Sequence, residues 1–509
     1  MPPEKTTTAV DALETAPAPQ QLKRVVIEPL TRVEGHGKVT LLLDDDNRVR
    51  QARLHIVEFR GFEKFIQGRP YWELPVIVQR LCGICPVSHH LAAAKATDQL
   101  IGVQQLTPTA EKMRRLMHLG QVLQSHALHF FHLSSPDLLF GYDDAVAHRN
   151  IVGVLADYPE IATQGVLLRK FGQEVIRVTA GKRVHGTGAV PGGVNKSLSS
   201  DERDFLQADI EQVIAWSQQA VALSRKLFMQ DLEHNSRFAL IDTNMLSLGR
   251  EDGAMDLYHG GLRLKDAAGK ILFDNLDYRG YAEHIHEQVK PWSYMKFPFV
   301  TELGATDGSY RVGPLARVNN CDFIATPLAE AARREFMGLA EGGLVQSTLA
   351  YHWARMIELL YCAEAIRELL ADGDLTGGEL RLRGEMQRCG IGVIEAPRGT
   401  LFHHNEIDAD GLVTRANLIV STTNNNSAMN QSIRRVALDQ LDGRELTEPL
   451  LNNIEVAIRA YDPCLSCATH ALGRMPLEVQ LLAADGSLLD RLYRNAQGEV
   501  GICRTAGET

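Results

Sequence analysis

Two Cys-x-x-Cys pairs, one before residue 90 and one after residue 460, constrain this chain more than any other feature. The first reads Arg80-Leu81-Cys82-Gly83-Ile84-Cys85-Pro86-Val87-Ser88-His89. The second reads Asp462-Pro463-Cys464-Leu465-Ser466-Cys467-Ala468-Thr469-His470. Each has a histidine a few residues on. Spacing alone leaves three readings open. One is a structural zinc site of four thiolates, although zinc ribbons usually bring their pairs within about 15–20 residues. A thiol–disulfide motif needs only one pair, in a thioredoxin-like setting that the flanking sequence lacks. The third is a soft-metal centre joining the two ends of the chain. Four thiolates suit nickel, copper(I), zinc or iron and do not suit magnesium or calcium.

Composition narrows the class. The chain has 509 residues, 45% hydrophobic and 23% charged, as in an ordinary globular protein. With 53 basic and 63 acidic residues its net charge is −10, against the basic footprint of a nucleic-acid binder. Eight cysteines are too few for a disulfide scaffold. No apolar run reaches the roughly 18 residues of a membrane span. Residues 1–23 are rich in Pro and Thr and lack the apolar core of a signal peptide. They read as a disordered tail, and the missing export signal points to the cytoplasm.

The pattern predicts strands at 24–27, 38–43 and 49–59, then helix over most of 74–101. Thr107 as N-cap with Pro108 next opens a helix to about 133. Further helices are expected at 160–180, 201–232 and 328–370. A β-rich stretch follows at 392–396, 400–405 and 412–420. A last helix from Pro449 carries Leu450, Leu451, Ile454, Ile458 and Tyr461 at helical spacing, and Asp462-Pro463 ends it. Residues 475–482 and 487–493 resemble a small hairpin. The class is α+β: a mainly helical body with small peripheral sheets.

The residues carry a closer resemblance. Arg80-x-Cys82-Gly-x-Cys85-x-x-x-His89 with Asp462-Pro-Cys464-x-x-Cys467-x-x-His470 resembles the signature pair of nickel–iron hydrogenase large subunits. Arg32-Val33-Glu34-Gly35-His36, Arg60-Gly61-Phe62-Glu63 and Ala396-Pro397-Arg398-Gly399 are further motifs of that family. The likeness runs from about residue 24 to the end. Val57 to Phe65, Trp292-Ser293-Tyr294-Met295-Lys296-Phe297-Pro298 and Asp462 to Leu472 look most like the cytoplasmic NAD-reducing branch. Two details differ from the commonest pattern: Asn424 stands where many relatives have Trp, and Ser125-His126-Ala127 lacks a carboxylate found in periplasmic relatives.

The resemblance implies the family's large-subunit fold, with both CxxC motifs meeting at a buried Ni–Fe centre whose iron carries one CO and two cyanides. It makes Cys82 and Cys464 terminal nickel ligands and Cys85 and Cys467 bridges to iron. It implies heterolytic splitting of H2, with Cys464 as the nearest base, Glu34 passing the proton outward and Arg398 over the open site. Pro397 and Thr422 border the cyanides, with Thr423 an alternative hydroxyl, and His89 hydrogen-bonds a bridging sulfur. Glu63, His470 and the Leu418 carbonyl hold a magnesium, or iron(II), ion. Residues 24–470 form the catalytic domain. Residues 471–509 are a propeptide that an endopeptidase removes between His470 and Ala471, and the attached tail keeps Cys464 and Cys467 away from the metal.

No phosphate-binding motif accompanies Gly181-Lys182 or Gly192-Gly193, so no nucleotide site is expected in this chain. It also lacks cysteines for iron–sulfur clusters. The implied partners are an iron–sulfur small subunit and, beyond it, a diaphorase module binding FMN and NAD. The alternatives are a hydrogenase using F420 or NADP, a hydrogen sensor, or a metal-free structural subunit related to respiratory complex I. The four intact cysteines argue against the last. The lone Cys321, Cys362, Cys389 and Cys503 read as core thiols.

Overall fold

The computed structural model describes residues 13–340 and 342–471, with the backbone of three strands beyond them. The N-terminal sheet is an antiparallel meander of β1 (Lys23–Ile27), β2 (Gly37–Leu43) and β3 (Val49–Ile56). Val39 pairs Leu54 and Leu41 pairs Ala52, all buried, because the sheet lies on the helical body. Within the 1–23 segment expected to be disordered, residues 13–16 lie against this sheet and Lys23 begins β1. Ala16 N–H donates to Gln51 (2.9 Å), and Leu13 packs with Trp292 and Phe297.

The body is built from α1 (Pro86–Leu100), α2 (Pro108–Leu128), α3 (Pro159–Ala180), α4 (Ser200–Gln230), α5 (Pro314–Asn320) and α6 (Ala350–Leu370). The Thr107 hydroxyl caps α2 by accepting from Ala110 N–H, a contact of about 1 kcal/mol. The expected extension to 133 continues as a π-helix, His129–Ser134. The long helix expected over 328–370 is two helices, Pro327–Met337 and α6. Gly338, Gly342 and Gly343 between them disfavour a continuous helix. α6 is buried on almost every side, with Arg355, Glu358 and Glu364 among its apolar residues, so it forms the centre of the core. No single described helix is long and apolar enough to cross a membrane. One pair, Ile151–Asp157 with α3, passes on length and composition together but is bent by 118°.

A sheet that the sequence pattern did not reveal holds β4 (Asn244–Gly249), β5 (Gly261–Lys265) and β6 (Ile271–Leu276), with the two-residue strand Tyr310–Arg311 parallel to β4. The next sheet, β7 (Cys389–Ala396), β8 (Gly399–Ile407) and β9 (Val413–Ile419), matches the expected β-rich stretch. It meets α1 backbone to backbone. A Cβ on Gly392 would lie 2.0 Å from the Ala92 carbonyl oxygen, so only glycine permits this approach. The last helix, α7 (Glu448–Ala460), leads into the second CxxC. Beyond it β10 (Leu477–Leu482), β11 (Leu488–Arg494) and β12 (Val500–Arg504) form one antiparallel sheet, a strand more than the expected hairpin.

Candidate metal centre

Cys82 follows the 3-10 turn Val78–Leu81 in an extended conformation, and the N–H groups of Ile84 and Cys85 both point at its sulfur (3.2 Å). Cys85 is the N-cap of α1, with Pro86 at the first helical position. This half of the site is therefore a loop wound around one sulfur and a helix end presenting the other. The other half follows α7. Asp462 takes φ 54°, Cys464 bridges to Glu34 as a parallel β-pair, and Leu465 N–H donates to the Glu34 carbonyl (2.9 Å). Gly35, at φ 84°, makes that docking possible, because a Cβ there would lie 2.5 Å from Ser466 N.

The four sulfurs come within 4.8 Å of one another and are buried. Cys82 lies 3.3 Å from Cys464, Cys464 2.7 Å from Cys467, and Cys467 3.9 Å from Cys85. Hydrogen bonds from Cys464, Cys467 and Cys82 draw the Cys85 thiol well below its ordinary pKa, while burial pushes Cys464 and Cys467 up. The hydrogen bonds thus favour negative charge on Cys85, while burial resists further charge until a cation arrives.

Around the cluster, Glu34 is half-buried. Its carboxylate accepts from the Cys464 thiol (2.9 Å), from Ser466 N–H (3.2 Å) and from the Ser466 hydroxyl. Arg398 donates through Nε to the Asp462 carbonyl and through Nη2 to its side chain (3.0 Å). Burial would lower the Arg398 pKa, but Asp462 and the thiols outweigh it and raise it well above normal. Its buried Nη1 has no protein partner. A cavity with room for about one water lies beside Cys85 and Cys464, lined in part by His89, Pro397, Arg398 and Thr422. Thr422 Oγ1 accepts from Cys464 N–H (3.0 Å), and Thr423 Oγ1 is buried and unpartnered. His89 contacts Cys85 and lies 3.2 Å from His403. The residues present fit a soft metal pair: an all-sulfur donor set, a fixed cation with a free N–H, and a small closed space beside them.

Glu63 and His470 are placed differently. Glu63 accepts from Leu418 N–H (2.9 Å) and from the Lys296 ammonium (3.0 and 3.3 Å). Lys296 also reaches Glu287 (3.3 Å) and Asn417 (3.2 Å). His470 is buried with neither ring nitrogen bonded, and desolvation, helped by Lys296, lowers its pKa to about 3. It is a neutral imidazole with free donor and acceptor atoms, and a buried oxygen of Glu287 is likewise unpartnered. These orphaned atoms fit a cation, whereas the lysine already sits on Glu63.

Sequence reasoning did not single out the grip of Arg60 on the Arg80 and Leu81 carbonyls, nor His185, which accepts from Arg80 and donates to the Cys82 carbonyl (3.0 Å). It also did not assign Asp462, Ser466 or Lys296 a role. Lys296 lies in a motif already noted, and Asp462 and Ser466 stand inside the second CxxC segment. Nothing local marks His185.

Comparison with known proteins agrees with this geometry. Residues 24–59 match a family model described as HoxL-like, and residues 60–143 and 250–470 match one described as nickel-dependent hydrogenase. The chain is 48% identical over 487 residues to the NAD-reducing hydrogenase HoxS subunit beta of Cupriavidus necator, covering 93% of this chain and all of that one. It is 42% identical over 477 residues to a subunit of the F420-non-reducing hydrogenase of Methanothermobacter thermautotrophicus, covering 92% of this chain and all of the relative. A solved NAD+-reducing [NiFe]-hydrogenase in the H2-reduced state superposes with a TM-score of 0.87 at 60% identity, covering 88% of this chain and 99% of that one. The chain belongs to the nickel-dependent hydrogenase family.

Proposed function

We propose that this chain is the catalytic large subunit of a hydrogenase that splits H2 reversibly and sends its electrons to NAD. The observation that carries the site assignment is the Cys464 thiol donating to Glu34 at 2.9 Å, which links a metal-facing sulfur to a half-exposed carboxylate. When bound, a nickel–iron pair supplies heterolytic cleavage of H2 and accepts its two electrons. Cys82, Cys85, Cys464 and Cys467 would hold nickel through their sulfurs, and Cys85 and Cys467 would also serve as the protein ligands of the iron. Cys464 takes the proton at its sulfur and hands it to Glu34, which Ser466 holds in place through N–H and O–H. Arg398, fixed by Asp462, keeps a positive charge and a free N–H over the opening. Pro397 and Thr422 line the cavity where the iron's non-protein ligands would sit, and His89 supports the Cys85 sulfur.

Glu63, His470 and the Leu418 carbonyl hold a second, hard cation, magnesium or iron(II). The unpartnered imidazole and the unpartnered Glu287 oxygen support it. For the ion to enter, Lys296 must release a Glu63 oxygen. Residues 471–509 are a propeptide cut off after His470 by an endopeptidase. The end of the family match at residue 470 supports this. His470 and Ala471 are both buried and Ala471 N–H donates to the Tyr294 carbonyl, so the cut requires this end to swing outward first. Intact-mass measurement tests it: active enzyme ending at His470 agrees, and full activity in chains ending at Thr509 contradicts it.

The chain carries no cluster-binding cysteine set of its own beyond the four. An FMN- and NAD-binding diaphorase and an iron–sulfur small subunit therefore complete the relay, in the cytoplasm where NAD is found. The NAD-reducing relative supports that acceptor. The test is reconstitution. H2-dependent NAD reduction should need this chain, the diaphorase and the small subunit together. Reduction by this chain alone, or reduction of F420 but not NAD by the complex, would contradict it.

A further inference from the structure

We infer that Arg317 is a positioning residue for hydrogen activation: it fixes the backbone that carries Arg398 over the thiol cluster. The inference rests on the proposed placing of Arg398 at the metal centre.

Arg398 lies with Pro397 in the two-residue turn between β7 and β8, where Ala396 pairs Gly399. Its guanidinium is tied to Asp462, but a side chain is only as fixed as its backbone. Arg317, on α5, is fully buried and reaches that turn from below. Its Nη1 donates to the Ala396 carbonyl (2.9 Å) and to Glu395 (2.7 Å), and its Nη2 donates to the Pro397 carbonyl (3.3 Å). Nε and Nη2 also form a fork on Glu358, both at 2.6 Å. All five N–H donors of the guanidinium are therefore engaged. Two of them hold the carbonyls of the two residues immediately before Arg398.

The partners are themselves fixed. Glu358, on α6, also accepts from His126 on α2 (2.9 Å). Burial would raise its pKa, but Arg317 and then His126 outweigh it and hold it at about 2. Glu395 accepts on its other oxygen from Leu248 N–H (2.8 Å) and from the Thr400 hydroxyl (2.7 Å). Arg317 thus ties α2, α6, β4 and β7 to one turn. An ion pair needed only for stability would be complete with Glu358. The bonds to the Ala396 and Pro397 carbonyls add nothing to charge balance, but they do orient the turn. Lysine cannot reproduce this, because it offers three donors from one point in place of a planar fork.

Arg317→Lys tests the inference in the assembled, metal-loaded complex. It keeps the charge opposite Glu358 and loses the fork. The expected result is a kcat lower by about 100-fold, as for a misplacement of about 1 Å at a reacting centre. The infrared bands of the iron's diatomic ligands should shift or broaden while nickel content stays near that of the wild type. Wild-type kcat and bands would overturn the inference. So would activity lost only in proportion to nickel, with unchanged bands in the loaded fraction, since that is what a merely structural role gives. If Arg317→Lys does not accumulate, Glu395→Gln carries the test: the same band change with kcat down about 5-fold supports the inference, and unchanged bands overturn it. Arg398→Lys separates the two layers. Altered bands there with unchanged bands in Arg317→Lys defeat this inference alone, whereas unchanged bands in both defeat the placing of Arg398.

Discussion

The thiol cluster and the Glu63–His470 site adjoin, sharing the segment from Cys467 to His470, yet they balance charge in opposite ways. At the cluster, four soft donors face one another beside a single guanidinium, and burial holds Cys464 and Cys467 toward their protonated form. At the other site, two carboxylates are already met by an ammonium. Burial would lower the Lys296 pKa, but Glu287 and Glu63 outweigh it and raise it. The cluster is arranged to exchange protons for metal, since thiolates form as the ion binds. The second site carries its own counter-charge and must displace it. The soft site should therefore depend entirely on its ligands, while the hard site should tolerate change and show it mainly in stability.

The largest effect expected from that contrast is at Cys85. Cys85→Ser replaces a thiol already drawn toward its charged form by a hard, protonated hydroxyl. Nickel and hydrogen uptake should both vanish, as measured by metal analysis and H2 oxidation of the purified variant. Full nickel content with normal uptake would place the metal elsewhere. Next is Glu34→Gln, which keeps the size of the side chain beside Cys464 and Ser466 but puts an amide, which cannot shuttle a proton, in place of the carboxylate. Exchange between D2 and water should fall by about 100- to 10,000-fold with the infrared bands retained. Normal exchange would assign the proton to another group.

The smallest effect on turnover is expected at the hard site. Lys296→Met leaves Glu63 and Glu287 as buried carboxylates without their cation. Unpaired buried charge costs about 3–5 kcal/mol, which an added divalent ion offsets by binding the folded form. The melting temperature of the variant should drop in chelator and recover with Mg2+, while the wild type moves less. A variant that melts like the wild type in both conditions would show that neither lysine nor metal balances this site.

The two sites also differed in how far the sequence exposed them. Both CxxC motifs could be read because ligand chemistry demands fixed residue types at fixed local spacing, and the Arg32-Val33-Glu34-Gly35-His36 and Ala396-Pro397-Arg398-Gly399 segments through their resemblance to the nickel–iron hydrogenase family; the structure brings all of them together. The Asp462 grip on Arg398, the His185 contact to Cys82 and the Arg317 fork join residues far apart in sequence, so no local spacing records them. The same holds for the fold. Helices with a strong cap and apolar period, such as α2 and α4, were legible. The sheet of β4 to β6 was not, because β4 and β5 are buried at nearly every residue and β6 is largely exposed, so no alternation of buried and exposed positions marks the strands. At the hard site the motif residues Glu63 and His470 were visible, but Lys296 standing on Glu63 is a consequence of packing alone.

One measurement bears most directly on the claim that the four cysteines hold a nickel–iron centre: metal analysis and infrared spectroscopy on the same sample of purified complex. Nickel close to one per chain, with one CO band and two cyanide bands that disappear together in Cys85→Ser, is the predicted result. Stoichiometric zinc with no bands in that region would contradict it and return the cluster to a structural role.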